Sequence, residues 1–383
     1  MFFAKNMMTW KMFKGQMKKV MRHSLVFLFF ITQIVSFSLS SAASIPAETG
    51  DATAQGHKEG FNAGDFVMDH VSDAHEWHVL TAGHTHISVP LPIILYSKNS
   101  GWHVFLSSRF HHGTASWKNF AIAGDGQHEG KIVELNEQGE VTGVPVDLSM
   151  TKVVFGILFS VIILVWLFVG IARSAIRNKG KAPSGLQNMF EPVILFVRDE
   201  VAVPAIGATK AERYLPFLLT LFFFILVNNI IGLIPVFPFG ANVTGNIAVT
   251  MVLALFTFFI TTFSGSRHYW KEIYNPDVPM WLKFPIPLMP IVELTGLFTK
   301  PFVLMVRLFA NMMAGHMIIT VFISLIFIFA DIMGPAAGAG VSVISVVFSV
   351  FMTLLDVLVS FIQAYVFTLL SALYFGMATE EHH

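Results

Sequence analysis

The stretch ELTGLFTKPFVLMVRLFANMMAGH, from Glu293 to His316, decides how the chain folds. It lies inside an apolar run from Pro290 to Ala330, yet it carries Glu293, Lys300, Arg307, Asn311 and His316. At ~1.5 Å per residue the run is too long for one upright helix across a ~30 Å hydrocarbon core, so it predicts a strongly tilted span. Ionisable groups at bilayer depth are costly and mark function. Glu293, Lys300 and Arg307 follow one another at steps of seven residues. At ~100° per residue such a step drifts by only ~20°, so the three share a stripe, and Asn311 joins it one turn later.

A second apolar run, Val341 to Met377, holds Asp356 and Gln363, again seven apart. Folded back as an antiparallel hairpin, one register sets Arg307 level with Gln363 and His316 level with Asp356. Its centre falls at Pro335 and Ala336, inside a linker from Asp331 to Gly340 that has no Lys or Arg. His316 lies nine residues beyond Arg307 and points to the opposite face of a regular helix. At most one of the two pairs therefore faces inward squarely.

Composition agrees with a membrane setting. Hydrophobic residues make up 54% of the 383, and charged residues only 13%, about half the ~25% of a soluble domain. Mean hydropathy is +0.66. A soluble chain of this size could not hide that much apolar surface. Lys+Arg and Asp+Glu are both 24, so no basic excess argues for nucleic acid. The absence of Cys excludes disulfides and thiolate chemistry. There is no Walker loop, no dinucleotide fingerprint and no HExxH, so a nucleotide used in any ATP chemistry sits on another chain.

Five spans are expected, at about 151–172, 215–235, 246–264, 290–330 and 341–377. Arg173, Arg177, Lys179 and Lys181 follow the first, and Arg267, Lys271 and Lys283 follow the third. The loops after the second and fourth carry no Lys or Arg. Positive charge stays inside, so the C-terminus is expected in the cytoplasm. Leu186 to Val203 reads as a surface-lying amphipathic helix. At the other end, Lys18, Lys19 and Arg22, an apolar core from Ser24 to Ser40, and Ser41-Ala42-Ala43 read as a signal peptide over 1–43. Residues 44–148 then form a small extracytoplasmic domain with short strands, ahead of a membrane domain over 149–383. This outer domain is His-rich, with ten His between His57 and His128. His75, His78, His84 and His86 have ligand-like spacing, but with no supporting Cys no metal site is expected. The fold class is an all-α polytopic membrane protein with a tilted C-terminal hairpin and an added strand domain.

The Glu293–His316 stretch resembles subunit a of the F-type ATP synthase membrane sector. The likeness continues in Ile362-Gln363-Ala364-Tyr365-Val366-Phe367, in Leu226 through Pro235, and in His75 through Leu95. It covers most of the chain from about residue 70, and the Arg-Leu-Phe-x-Asn block is specific. The resemblance implies that Arg307 is the stator arginine facing a rotor ring of carboxylate-bearing proteolipids. It implies a proton path through two half-channels, with Glu293 on the cytoplasmic exit side and Asn229 on the inlet side. His316 and Asp356 match two positions where some members carry an acid and a base in the opposite order. Gln363 and Asn311 match polar positions near the arginine, and Gly232 stands where some members have an acid. The implied partners are the ring, a peripheral stalk subunit, protons and membrane lipid, at a bacterial inner membrane and with no cofactor.

Two other classes compete. A self-contained transporter or channel would show two related halves and broken midplane helices, and no such repeat is visible. A non-conducting anchor would not need Arg307, His316 and Asp356 in its spans.

Overall fold

The computed structural model describes residue 73 and residues 75–380, apart from short stretches at 83–84, 99, 111–114, 124–129, 137, 139–140, 179–182, 235–238 and 275–287. The expected signal peptide, 1–43, lies outside the described residues, as does the first part of the His-rich segment.

Among the described residues the strand domain has eight short antiparallel strands in three sheets. β1 (Glu76–Ala82) and β2 (Thr85–Pro90) form a hairpin. β3 (Pro92–Ser97) lies between β4 (Gly101–Leu106) and β8 (Val146–Asp147). β5 (Phe120–Ile122), β6 (Ile132–Leu135) and β7 (Val141–Gly143) make the third sheet. Side chains alternate across a strand, so Ile93 and Leu95 both point inward and join Phe105, Phe110, Phe120 and Ile132 in one core.

Five of the eight α-helices among the described residues are long and apolar enough to cross a membrane: α1 (Lys152–Arg177), α4 (Ala208–Gly232), α5 (Ile247–Ser264), α7 (Leu288–Met333) and α8 (Pro335–Thr379). Their ends differ from the expected spans because a helix continues past its apolar part wherever the next residues can hold backbone bonds. Thus α1 runs on to Arg177, and the Asn178 N–H closes it on the Ser174 carbonyl. α4 starts at Ala208, well ahead of Leu215.

The expected amphipathic helix is interrupted. α2 (Leu186–Phe196) passes through a π-helical turn at Val197–Ala202 into α3 (Val203–Ile206). Pro204 explains the widening: it offers no N–H to the preceding turn and its ring crowds the carbonyl there. Gly207, at φ 90°, ends the segment, and short α6 (Arg267–Tyr274) follows α5.

The expected ten-residue linker shrinks to Gly334 alone. Its φ of 92° suits glycine, and Pro335 fits the first turn of a helix because its missing N–H would go unused there. α7 and α8 then pack along each other in antiparallel register. Phe322 stacks on Phe348 at 5.5 Å, and Gly338 abuts Ala330. Phe222, Phe223 and Phe224 of α4 sit at the centre of the bundle core. α7 and α8 leave Val303, Val306, Ile318, Leu354 and Leu358 exposed, which is surface for lipid or another chain.

Candidate functional site

Leu304, Leu308 and Met312 bury one face of α7 against the bundle. The opposite face therefore turns outward, and it holds Arg307 and Asn311 among Val303, Val306, Ala310 and Ala314, all exposed. Arg307 makes no hydrogen bond or ion pair among the described residues; its charge acts on Tyr374 of α8. The expected stripe bends away below it. Lys300 is half-buried, with its Nζ 5.7 Å from the centre of the Tyr374 ring. Glu293, also half-buried, acts electrostatically on Tyr269 of α6. Tyr374 was not singled out in the sequence, because nothing in its spacing ties it to α7.

Asp356 and Gln363 are buried on α8. The Asp356 carboxylate lies against Gly315: a Cβ added there would fall 2.7 Å from Oδ1. That contact fits the same register as Phe322–Phe348, and it sets Gln363 level with Arg307. His316, one residue on, is rotated by ~100° and turns toward α4 instead. Its Nε2 lies 3.6 Å from where a Cβ on Gly232 would be. His316 and Asp356 share no hydrogen bond or ion pair among the described residues. Instead, Nε2 of His316 and Oδ2 of Asp356 are both buried without a hydrogen-bond partner.

Further orphaned polar atoms gather at the end of α4. Asn229 is buried; its Oδ1 accepts from the Thr244 hydroxyl, and its Nδ2 has no partner among the described residues. Asn228 donates to the Phe224 carbonyl at 2.7 Å, and its Oδ1 has no partner among the described residues. Buried polar groups are nearly always satisfied, by protein or by water. Asn228, Asn229, His316 and Asp356 each carry one such atom without a protein partner among the described residues.

A second polar cluster pins the strand domain to α1. Asp73 Oδ1 accepts from the Val153 N–H at 3.2 Å, at the positive end of the helix. His75 Nε2 lies 3.1 Å from Asp147 Oδ2, and Asp147 Oδ1 accepts from the Ser149 N–H at 2.8 Å. Trp77 packs edge-on to Phe155 at 5.7 Å beside them. Sequence reading missed this junction. The available signal was Thr151, a capping residue placed just before an apolar run.

The junction titrates. Burial lowers and the Asp147 carboxylate raises the His75 pKa, and the net change is upward. Burial opposes ionisation of Asp147, yet its bonds to His75 and Ser149 hold its pKa below the ordinary value. Burial raises that of Asp73. A raised His75 contributes stability below about pH 6.5 and loses it as pH climbs through the folded value; Asp147 contributes above about pH 3.8 and loses it on strong acidification. Asp73, with a raised pKa, also favours the acidic side. Docking is therefore tightest in mild acid. Thermal unfolding of the strand domain in the purified protein is expected to begin a few degrees lower at about pH 8.5 than at about pH 5.5. His75→Gln, which keeps a donor but does not titrate, should flatten most of that difference; an unchanged slope in the variant would clear His75 of the effect.

Comparison with known proteins adds to this geometry. A family model described as ATP synthase A chain matches residues 153–376, and a model described as a domain of unknown function matches residues 66–150. The ATP synthase subunit a of Chloroherpeton thalassium is 43% identical over 251 residues, covering 63% of this chain and 70% of the relative. That of an Anaeromyxobacter species is 35% identical over 348 residues, covering 88% and 75%. ATP synthase subunit a 2 of Prosthecochloris aestuarii is 34% identical over 342 residues, covering 88% and 87%. The first match takes in the five long helices except the first residue of α1 and the last three of α8, with Arg307, His316, Asp356 and Gln363 inside it. By the span of that match and the extent of its relatives, this multi-pass membrane chain belongs to the ATP synthase A chain family.

Proposed function

We propose that the chain is the proton-conducting stator subunit of an F-type ATP synthase, with Arg307 set against a rotor ring of carboxylate-bearing subunits. The observation that carries this is Arg307 itself: a permanent cation, exposed midway along an apolar helix, with no acidic partner among the described residues. An intramembrane charge without a partner in its own chain calls for one supplied from outside. Arg cannot be deprotonated in a protein, and a fixed positive charge favours the ionised form of a carboxylate nearby. Each ring carboxylate gives up its proton on reaching Arg307 and must regain one before it meets lipid. Arg307 also divides two aqueous half-channels, so no proton crosses without a turn of the ring.

Asn229, His316, Asp356 and Gln363 serve the inlet half, and Glu293 the exit half; Asn311 keeps the Arg307 face polar. The strand domain lies on the outer side and the C-terminus in the cytoplasm, as the loop charges require. α7 and α8 tilt so that their length fits the bilayer, and a peripheral stalk holds the subunit still. Each proton crossing 100 mV contributes ~2.3 kcal/mol, so several must be summed for one ATP. The chain binds no nucleotide; synthesis occurs on other subunits.

The chain has no cysteine, so a single introduced one is unique. In inside-out membranes, Ala310→Cys and Ala314→Cys are expected to form disulfides with cysteines placed beside the ring carboxylate. Trp166→Cys, on an exposed part of α1, should not. Equal cross-linking from α1, or none from α7, would remove Arg307 from the ring interface.

A further inference from the structure

The sheet of β4, β3 and β8 is apolar on both faces. Ile93, Leu95 and Phe105 turn into the core of the strand domain. On the other face stand the pairs Pro92–Leu106, Ile94–Val104 and Tyr96–Trp102, and Tyr96 also pairs with Val146 of β8. Trp102 is 63% exposed, Val104 68% and Leu106 51%, and Tyr96 and Val146 are exposed beside them. An antiparallel sheet with one solvated face ordinarily sets polar residues outward. None of these outward residues is charged; their polar side-chain groups are the Tyr96 hydroxyl and the Trp102 indole N–H, at one end of the sheet, where the two rings lie 5.1 Å apart. At the other end the Met150 N–H donates to the Pro92 carbonyl at 3.0 Å, which carries the ladder to within two residues of Lys152, where α1 begins. A contiguous exposed apolar face of this kind marks an interaction surface.

We infer that this face docks on the lipid bilayer, at the leaflet where α1 enters. Its position argues for lipid. Leu106, Pro92 and Met150 stand side by side across the ladder, so Leu106 lies two strand spacings, about 10 Å, from Met150. α1 is a membrane span that starts two residues later, so the sheet is held at the membrane surface. The order of residues along the strands argues the same way. The aliphatic end, with Leu106 and Met150, adjoins the helix. Trp102 lies four residues, about 13 Å, further along β4, and exposed Lys98 follows Tyr96 just past the end of β3. Aromatic rings with polar tips settle at headgroup level, and a lysine there stretches its ammonium toward phosphate and water. Aliphatic, then aromatic, then cationic is the order of a leaflet met from its hydrocarbon side outward. The strands lie obliquely, so that this length fits between the outermost acyl carbons and the headgroups. A protein partner would find few side chains to bond here, whereas protein interfaces carry about one hydrogen bond per 100–200 Å². Lipid requires none. Docked this way, the sheet holds the strand domain and the start of α1 at one depth.

The surface needs only a chain that spans the membrane and does not rest on the proton-conducting reading. Its test uses the complete complex, with the other subunits freed of accessible cysteine, in phosphatidylcholine nanodiscs, which leave both membrane faces open to solution. Trp102→Cys, Val104→Cys and Leu106→Cys replace exposed side chains, so folding is expected to survive them. Each is labelled with a nitrobenzoxadiazole fluorophore, as is Gln138→Cys, at an exposed polar residue between β6 and β7. The label at 104 is expected to be quenched by lipids spin-labelled on their acyl chains, and several-fold less by iodide than the label at 138. Lipid quenching should be stronger at 106 than at 102, following the order along β4. Iodide that reaches 104 as readily as 138 overturns the docking. A label at 104 shielded from both quenchers means that protein covers the face, either another chain or residues of this chain ahead of 73, and overturns the choice of lipid. Stronger lipid quenching at 102 than at 106 overturns the direction in which the sheet is laid down.

Discussion

Arg307→Ala is expected to abolish both ATP synthesis and ATP-driven proton pumping while the complex still assembles at normal abundance. Assembly should survive because Arg307 holds nothing within its own chain: no ion pair or hydrogen bond engages it among the described residues, and its helix is fixed by Leu304, Leu308 and Met312 on the other side. Coupling should not survive. A cation within a few ångströms lowers a carboxylate pKa by about 1–3 units, and burial in apolar surroundings raises it by a similar amount. Remove the cation and a ring carboxylate arriving from lipid keeps its proton, so the cycle has no release step. The barrier between the half-channels disappears with it, and passive proton leak should rise. Arg307→Lys is expected to fail nearly as badly, because an ammonium is a compact, strongly hydrated charge that loses its proton when buried, whereas guanidinium does not. The measurement is acidification of inverted vesicles driven by ATP, alongside immunodetection of the assembled complex. Vesicles that pump at wild-type rates with Ala at 307 would end the stator account.

The spans were legible because hydropathy over some twenty residues is a strong, local signal, and the charges inside Glu293–His316 stand out against it. The hairpin register was legible too, since index arithmetic needs only two straight helices. What could not be read was rotation. A single sequence fixes which residues share a face, but not which neighbour that face meets. His316 therefore turns to Gly232 on α4, although level arithmetic set it across from Asp356. The ten-residue linker collapsed to Gly334 because an Ala/Gly stretch has no apolar periodicity to announce a helix, yet its residues extend one readily once α7 is there to pack on. The Asp73–Val153 bond depends on a contact between segments remote in sequence. The junction of the strand domain with α1 lies across eighty residues of chain, beyond any motif.

Asp356→Ala and His316→Ala should each cut proton translocation by about a hundredfold or more, and the exchanged pair His316→Asp with Asp356→His should recover a substantial part. The two positions touch adjacent residues of one helix turn: Asp356 lies on Gly315, and His316 is the next residue along. Nε2 and Oδ2 are both buried without a partner among the described residues, so neither is tied up in an internal pair there. A path needs one group that can take a proton and one that can give it, and water between them makes their order secondary. Exchange keeps one acid and one base in the same small volume; either single loss leaves one orphan with no counterpart. Recovery is expected to be incomplete, because an imidazole at 356 must clear Gly315, where even a carboxylate fits closely. That gives a further check: Gly315→Leu, which fills the same space from the other helix, should suppress the exchanged pair entirely, whereas in the unexchanged protein it acts only by displacing the smaller Asp356. ATP-driven acidification of the unexchanged protein, His316→Asp, Asp356→His and the exchanged pair, normalised to assembled complex, measures the coupling directly as a double-mutant cycle. A doubly exchanged protein no better than the worse single loss would mean that His316 and Asp356 act separately, each through its own neighbours on α4 and α7.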